Sequence, residues 1–339
     1  MRVEMLEDPV TRFKYPEHWV ERCPTPELLS DVSNGLAILT SSGRVLKRGF
    51  STGTTAAAAC KAAIISLGGV VQNVSLEIPC GLSITVPVVA QDGHASCIKY
   101  GGDYEKDVTA GVEIIAQAVP TKEGINLIPG VGIGRFTRKT WRNNIGNPAI
   151  SSVALSCILQ AVNEALLQKG IVGVGVYLSI PRGPSIAVNT LNPRMGIEGG
   201  ISILGTTGLV EPWDVHLQES VNERLLSTDR PVLTTGRLGL RYSRLFFPDH
   251  DVILVGSGIR EALKHARCSP ILCGLPGLIL KAINPHILDG TGYSTIEEFS
   301  ASPDFAEIVR FNLASFKSEM PHVRVVVVTR EGTVIGDSL

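Results

Sequence analysis

The chain has 339 residues, which is long for one simple core and points to two domains. Its 31 Lys and Arg against 32 Asp and Glu leave a formal net charge of -1. That balance gives no general attraction to nucleic acid or anionic lipid, so any bound anion must be held by a local site. A 44% hydrophobic content supports a large interior, while 5% aromatic residues and 35 glycines favour tight turns and backbone-lined sites over stacking platforms.

The cysteines (Cys23, Cys60, Cys80, Cys97, Cys157, Cys268 and Cys273) are odd in number and form no CxxC pair. Several lie in apolar runs, as expected of free thiols in a reducing cytoplasm. Met1 to Arg12 mixes acids and bases and does not read as a secretory signal; no charge-free apolar run is long enough to span a bilayer. The expectation is a soluble, cytoplasmic enzyme of small-molecule metabolism. Whether it forms a homo-oligomer is left open.

Residues 1–45 read as an N-terminal extension, punctuated by Tyr15-Pro16-Glu17-His18-Trp19 and Cys23-Pro24-Thr25-Pro26. From 46 to 212 the pattern is that of an α+β domain. Thr54 to Leu67 is an Ala-rich helix stopped by Gly68-Gly69. Strands follow at 74–78, 82–88, 95–99, 112–119 and 125–128, then a long helix over 149–167 and a β-rich run at 171–180. From 213 to 339, short apolar runs at 232–234, 252–255, 270–273 and 323–329 alternate with helical segments at 258–266, 278–283 and 304–316. Such alternation predicts a small α/β domain with a parallel sheet.

Five segments can carry chemistry. Ser51-Thr52-Gly53-Thr54-Thr55 runs into the Ala-rich helix, where unpaired amides and the positive dipole end can meet an anion and Gly53 lets a ligand approach the backbone. The same pattern also describes a well-capped helix with Ser51 or Thr52 as N-cap. Asp103, Glu105 and Asp107 cluster after Gly101-Gly102; without accompanying His or Cys they do not read as a dedicated metal site, and turn chemistry is the plain alternative to a base. Gly130-Val131-Gly132-Ile133-Gly134 leads into Arg135, Arg138 and Lys139, a basic loop suited to carboxylates or simply a solvated turn. Residues 191–208 hold Arg194, a buried-looking Arg–Glu combination, Gly199, Gly200, Gly205, Thr206, Thr207 and little periodicity, as a functional loop would. Finally, the 252–255 strand followed by Gly256-Ser257-Gly258 is a nucleotide-type half-motif. The acidic ribose partner expected about 20 residues on is missing, because 262–288 contains no Asp or Glu. His286 is the histidine of the later loops that looks poised.

Together, Arg48–Ala63 (RGFSTGTTAAAACKAA), the Gly102 to Gly111 segment, Gly130–Lys139, Gly146–Ile150 and above all Asn192–Pro212 (NPRMGIEGGISILGTTGLVEP) resemble the cobalt-precorrin-5B C(1)-methyltransferase family, the CbiD family of anaerobic cobalamin biosynthesis. Tyr15–Trp19 is similar to archaeal-type members. Departures include Thr55 and Ala110, where many members have Cys and His, and Ser151–Ala154, where an Asn-Pro-x-Pro-Arg run is lost. The resemblance implies a ribosomal-S5-like α+β domain followed by a small α/β domain. It also implies transfer of a methyl group from S-adenosylmethionine to carbon 1 of cobalt-precorrin-5B, giving cobalt-precorrin-6A, with cobalt arriving inside the substrate and no protein metal site. On that basis Asp103 and Asp107 are the expected catalytic carboxylates, and Arg135, Arg138, Lys139, Arg194 and His286 the expected contacts to the corrinoid precursor. Ser51 to Thr55, Gly199, Gly200, Gly205, Thr206 and Thr207 are the expected methyl-donor contacts. Two rivals remain: a GHMP-like small-molecule kinase, whose Gly/Ser/Thr loop also precedes an Ala-rich helix, and a non-catalytic tetrapyrrole carrier.

Overall fold

The computed structural model describes residues 6–105, 107–139, 143–212, 221–256, 258–266, 268–293 and 295–339. They form two units, one of 35–37 with 46–216 and the other of 1–34, 38–45 and 217–339.

In the first unit, α1 (Thr52–Ile65) is followed by β1 (Val70–Glu77), β2 (Ser83–Gln91), β3 (His94–Ile98), β4 (Glu113–Pro120) and β5 (Gly124–Pro129), then α2 (Ser152–Lys169) and β6 (Gly173–Ser179). The strands make one mixed sheet in the order β1-β2-β3-β4-β6-β5, antiparallel except for β6 with β5. Strict alternation of buried and exposed residues along β2 shows why this sheet forms: one face is covered and the other open. Helix α1 supplies the cover, and α2 packs on α1. From Thr52 to Ile64 every residue of α1 is buried, which explains its alanines, since small side chains let neighbours approach on all sides. Lys61 is tolerated there because its Nζ donates to Glu164 Oε2 of α2 at 2.5 Å and to the Ser75 carbonyl at 2.8 Å. Ser151 caps α2 by accepting from the Ala154 amide, and Gly170 ends it in the left-handed region at φ 67°.

In the second unit, β7 (Pro231–Thr234), α3 (Gly236–Phe246), β8 (Asp251–Leu254), α4 (Ile259–His265), β9 (Ile271–Gly274), α5 (Pro276–Ile283), α6 (Phe305–Glu319), β10 (Arg324–Val328) and β11 (Val334–Asp337) follow in turn. Sheet order is β8-β7-β9-β10-β11, parallel except for the last pair. Helix α3 and the antiparallel strand β11 are additions to the sequence expectation. Leu233, Ile253, Leu272, Val325 and Val327 of the sheet pack with Ile279, Leu313 and Phe316. Among the described residues no helix is long and apolar enough to cross a membrane.

Side chains of residues 6–34 contribute to this second unit's core. Phe13 meets Tyr15 at 5.2 Å between ring centroids and Tyr242 at 5.9 Å, and Trp19 meets Phe246 at 5.6 Å. Asp8 pairs with Arg241 at 3.5 Å, and the Tyr242 hydroxyl donates to the Arg330 carbonyl at 2.6 Å. Because Phe13 is buried among rings, Phe13→Ala should cost about 3–5 kcal/mol in urea unfolding. A midpoint unchanged by the substitution would make the N-terminal segment a mere appendage.

Candidate active site

Two glycine-rich segments of the first unit are fused backbone to backbone. Gly132-Ile133 runs parallel to Gly200-Ile201, and Arg135-Phe136 pairs antiparallel with Ile197-Glu198. A Cβ on Gly132 would lie 1.7 Å from the Ile180 carbonyl oxygen, and Cβ atoms on Gly200 and Gly183 would lie 2.0 and 2.1 Å from the Gly132 oxygen. These glycines exist so that main chains can touch.

This pairing brings the expected substrate cations onto one rim. The Arg135 guanidinium donates to the carbonyls of Gly146 at 3.0 Å and Pro129 at 3.1 Å. Arg138, Lys139 and Arg194 are exposed and make no ion pair among the described residues. The Arg138 stem lies over Gly196, whose carbonyl accepts from both the amide and the hydroxyl of Thr137. Arg194 and Glu198, expected as a buried combination, are both exposed, because their loop lies at the surface of the paired segments.

At the start of α1 the polar groups turn inward. Ser51 Oγ accepts from the Thr54 amide at 3.1 Å, the Ser51 carbonyl accepts from the Thr55 amide at 3.0 Å and the Thr55 hydroxyl at 2.9 Å, and the Gly53 amide donates to the Leu204 carbonyl at 3.0 Å. Thr52 Oγ1 accepts from the Leu204 amide at 2.9 Å, and Thr54 Oγ1 donates to the Gly208 carbonyl at 2.6 Å. All five residues are buried. Their donors are largely satisfied by protein, those of the Thr54 amide and of Thr55 within the helix start and those of the Ser51 and Gly53 amides and the Thr52 and Thr54 hydroxyls by the 202–208 segment. Gly53 and Gly205 likewise face protein. A Cβ on Gly53 would meet Ala154 Cβ at 2.9 Å, and one on Gly205 would meet Ser51 Oγ at 2.1 Å. Gly200 belongs to the fused backbone already described. Gly199, at φ 77°, faces open space, Thr206 is exposed, and Thr207 Oγ1 bonds locally to Leu209.

Beside this helix start lies a pocket of about 270 Å³ lined by Glu77, Pro79, Ser152, Val153, Ser156, Cys157 and Gln160. Hydrogen bonds tie it to the basic rim. Gly134 O accepts from the Ala149 amide at 2.7 Å, Ala149 O from Ile203 at 2.8 Å, and Ile203 O from Ser151, the cap of α2, at 2.9 Å. Burial, followed by the nearby Glu164, pushes the Cys157 thiol up to about 11, so it stays protonated.

The two expected catalytic carboxylates are also committed. Asp103 Oδ2 accepts from the Lys47 amide at 2.7 Å, fixing the turn. Asp107 is buried in an ion pair with Lys99 and accepts from the Thr109 amide and hydroxyl at 2.9 and 2.6 Å. Burial raises its affinity for a proton, but the Lys99 charge and the Lys99 and Thr109 hydrogen bonds outweigh that and hold the carboxyl below its ordinary range. A carboxylate so held is a poor base, and its bonds to Lys99 and Thr109 give Asp107 a structural task. His286 lies in the second unit, exposed, with Nδ1 2.9 Å from Asp289 Oδ2.

The family model described as CbiD matches residues 39–212, the span that contains the rim, the α1 start and the pocket. The chain belongs to the CbiD family. It is 57% identical to the cobalt-precorrin-5B C(1)-methyltransferase of Methanoregula boonei, over 98% of this chain and 100% of that one. It is 53% identical to the protein of the same name from Methanoculleus marisnigri, over 98% and 99%. The crystal structure of the cobalamin biosynthesis protein (cbiD) from Archaeoglobus fulgidus is 39% identical and covers 82% of this chain and 92% of its own, with a TM-score of 0.56.

Sequence reasoning about this CbiD family member missed two features. One is the α2 pocket, whose only linear signal was Ser151-Ser152 ahead of an apolar run. The other is Arg48, fully buried, whose Nε meets Glu211 at 3.1 Å and whose Nη1 donates to the Gly35 carbonyl at 3.0 Å. For Asp107, the pairing makes a stability prediction. Asp107→Asn strands a buried Lys99 and should cost about 3–5 kcal/mol. Because the folded carboxyl titrates below its unfolded value of about 3.9, the wild-type contribution is complete above that pH and is lost as pH falls through the lower folded value. Denaturation of both proteins between pH 7 and pH 3 should show the gap closing on acidification; a stable but inactive Asp107→Asn would restore a catalytic role.

Proposed function

We propose that the chain is a cobalt-precorrin-5B C(1)-methyltransferase that uses S-adenosylmethionine in anaerobic cobalamin biosynthesis. The observation that carries this reading is near-full-length identity to proteins of that name, combined with a rim of unpaired cations at the matched motifs. The donor supplies an activated methyl on a sulfonium, and attack by a ring carbon leaves the electron pair on sulfur. Arg138, Lys139 and Arg194 hold the acetate and propionate arms of the macrocycle, with Arg135 completing the rim. Their work is alignment, a contribution that reaches roughly 7–11 kcal/mol when reacting atoms are well placed. Cobalt belongs to the substrate.

We further infer that the 35–37 and 46–216 unit is of the ribosomal-S5-like kind, supported by its mostly antiparallel sheet covered on one face by α1 and α2. A cytoplasmic setting is supported by seven free cysteines, five of them buried. The GHMP-kinase reading loses ground because the α1 amides that would cradle phosphates are bonded internally.

Incubation with labelled S-adenosylmethionine and cobalt-precorrin-5 should place one methyl on the ring; phosphorylated product with ATP and no methyl transfer would overturn the reading. Arg138→Ala and Lys139→Ala should each raise KM for the macrocycle by about two- to fivefold, the worth of one exposed charge contact, and less at high salt. Donor affinity should stay near wild type, and equal losses for both ligands would make the loop merely structural.

A further inference from the structure

Resting on the methyltransferase reading, we propose that the pocket between the β1–β2 turn and α2 receives the amino-acid end of the methyl donor. The carboxylate would lie on the amides of Ser152 and Val153 and the cationic side toward Glu77.

The pocket's chemistry is that of a zwitterion site. Glu77 gives one wall a negative charge, Ser152, Ser156 and Gln160 offer hydroxyl and amide groups, and Pro79 and Val153 supply apolar surface for a thioether chain. Opposite polarity comes from α2, an 18-residue helix whose first turn opens into the pocket. Its amides can be accounted for one by one. Ala154 donates to Ser151 Oγ and Leu155 to the Ser151 carbonyl, which leaves Ser152 and Val153 without an acceptor among the described residues. By contrast, the neighbouring start of α1 has its Gly53, Thr54 and Thr55 amides bonded to protein. Two helices begin beside the 202–208 segment; at α1 the Thr52 amide alone lacks an acceptor among the described residues, whereas α2 offers two adjacent amides.

Size and reactivity agree with this assignment. At about 270 Å³ the pocket falls just under the ~300–1,000 Å³ that encloses a whole small-molecule ligand, so it suits one end of a longer molecule. The rest of the donor can then extend toward the rim, to which the pocket is tied through Ser151, Ile203, Ala149 and Gly134. A sulfonium is an alkylating group, and the pocket contains a sulfur nucleophile. Cys157 sits there buried and protonated, so it does not consume the donor.

The test is calorimetric titration of the full chain with S-adenosylmethionine and S-adenosylhomocysteine, alongside thermal melting of each variant. Wild type should bind both. Val153→Trp, at a half-exposed position of the α2 first turn, should fill the pocket and weaken both ligands by at least about tenfold with an unchanged melting midpoint. Glu77→Gln, a change at an exposed site that carries the test if Val153→Trp unfolds, should weaken both by about two- to fivefold. Wild-type affinity in a folded Val153→Trp protein, or in Glu77→Gln, would overturn the assignment. A wild-type chain that binds neither ligand would instead sink the methyltransferase reading.

Discussion

Gly132, Gly183 and Gly200 meet where no side chain fits, and the geometry of the candidate site follows from that contact. A main-chain oxygen about 2 Å from where a Cβ would stand admits nothing but hydrogen. Because these three residues are glycine, the basic loop and the 197–201 segment can pair as short strands instead of lying apart as independent loops. Once they pair, Arg135 and Arg138 share a surface with Arg194, and the 202–208 segment is led across the starts of both α1 and α2. Arg138, Lys139 and Arg194, which make no ion pair among the described residues, thereby lie on or beside paired backbone, which suits a reaction limited by alignment.

The same constraint gives many conspicuous hydroxyls and glycines a structural task. Ser51, Thr52 and Thr54 are as polar as any binding loop requires, yet Ser51 Oγ caps α1 while the Thr52 and Thr54 hydroxyls satisfy backbone groups of the 202–208 segment. Lys61 with Glu164 and Arg48 with Glu211 serve the same end for charge, each buried cation reaching a partly exposed carboxylate. Groups left over for ligands are those outside this network: the exposed cations, the α2 amides and Glu77.

Much of the fold was legible in the sequence because its signals are local. Alternation marks β2, a Ser cap and a terminal glycine bracket α2, and the apolar runs of 231–328 sit where the parallel strands lie. Helix α3 was overlooked although Leu238, Tyr242 and Leu245 recur at helical spacing, because Gly236 and Gly239 interrupt the run and read as loop signals. The purpose of a glycine was equally hidden. Gly53 and Gly132 look alike on paper, and only Ala154 and Ile180, distant in the chain, reveal what each must avoid. Arg135, Arg138 and Lys139 could be grouped from one loop, but Arg194 joins them only through strand pairing. Asp107 could be grouped with Asp103 from one segment, but its tie to Lys99 shows only in the fold.

If the fused glycine segments organise the site, they must open as one body. Hydrogen exchange of wild type and of Gly200→Ala measures this directly. The account predicts that the substitution raises exchange together at the amides of Gly134, Phe136, Ala149, Ser151 and Ile203, whose hydrogen bonds cross between the segments, while β1 to β4 stay protected. Faster exchange confined to the 197–201 segment, with the basic loop and the α2 cap unchanged, would contradict it.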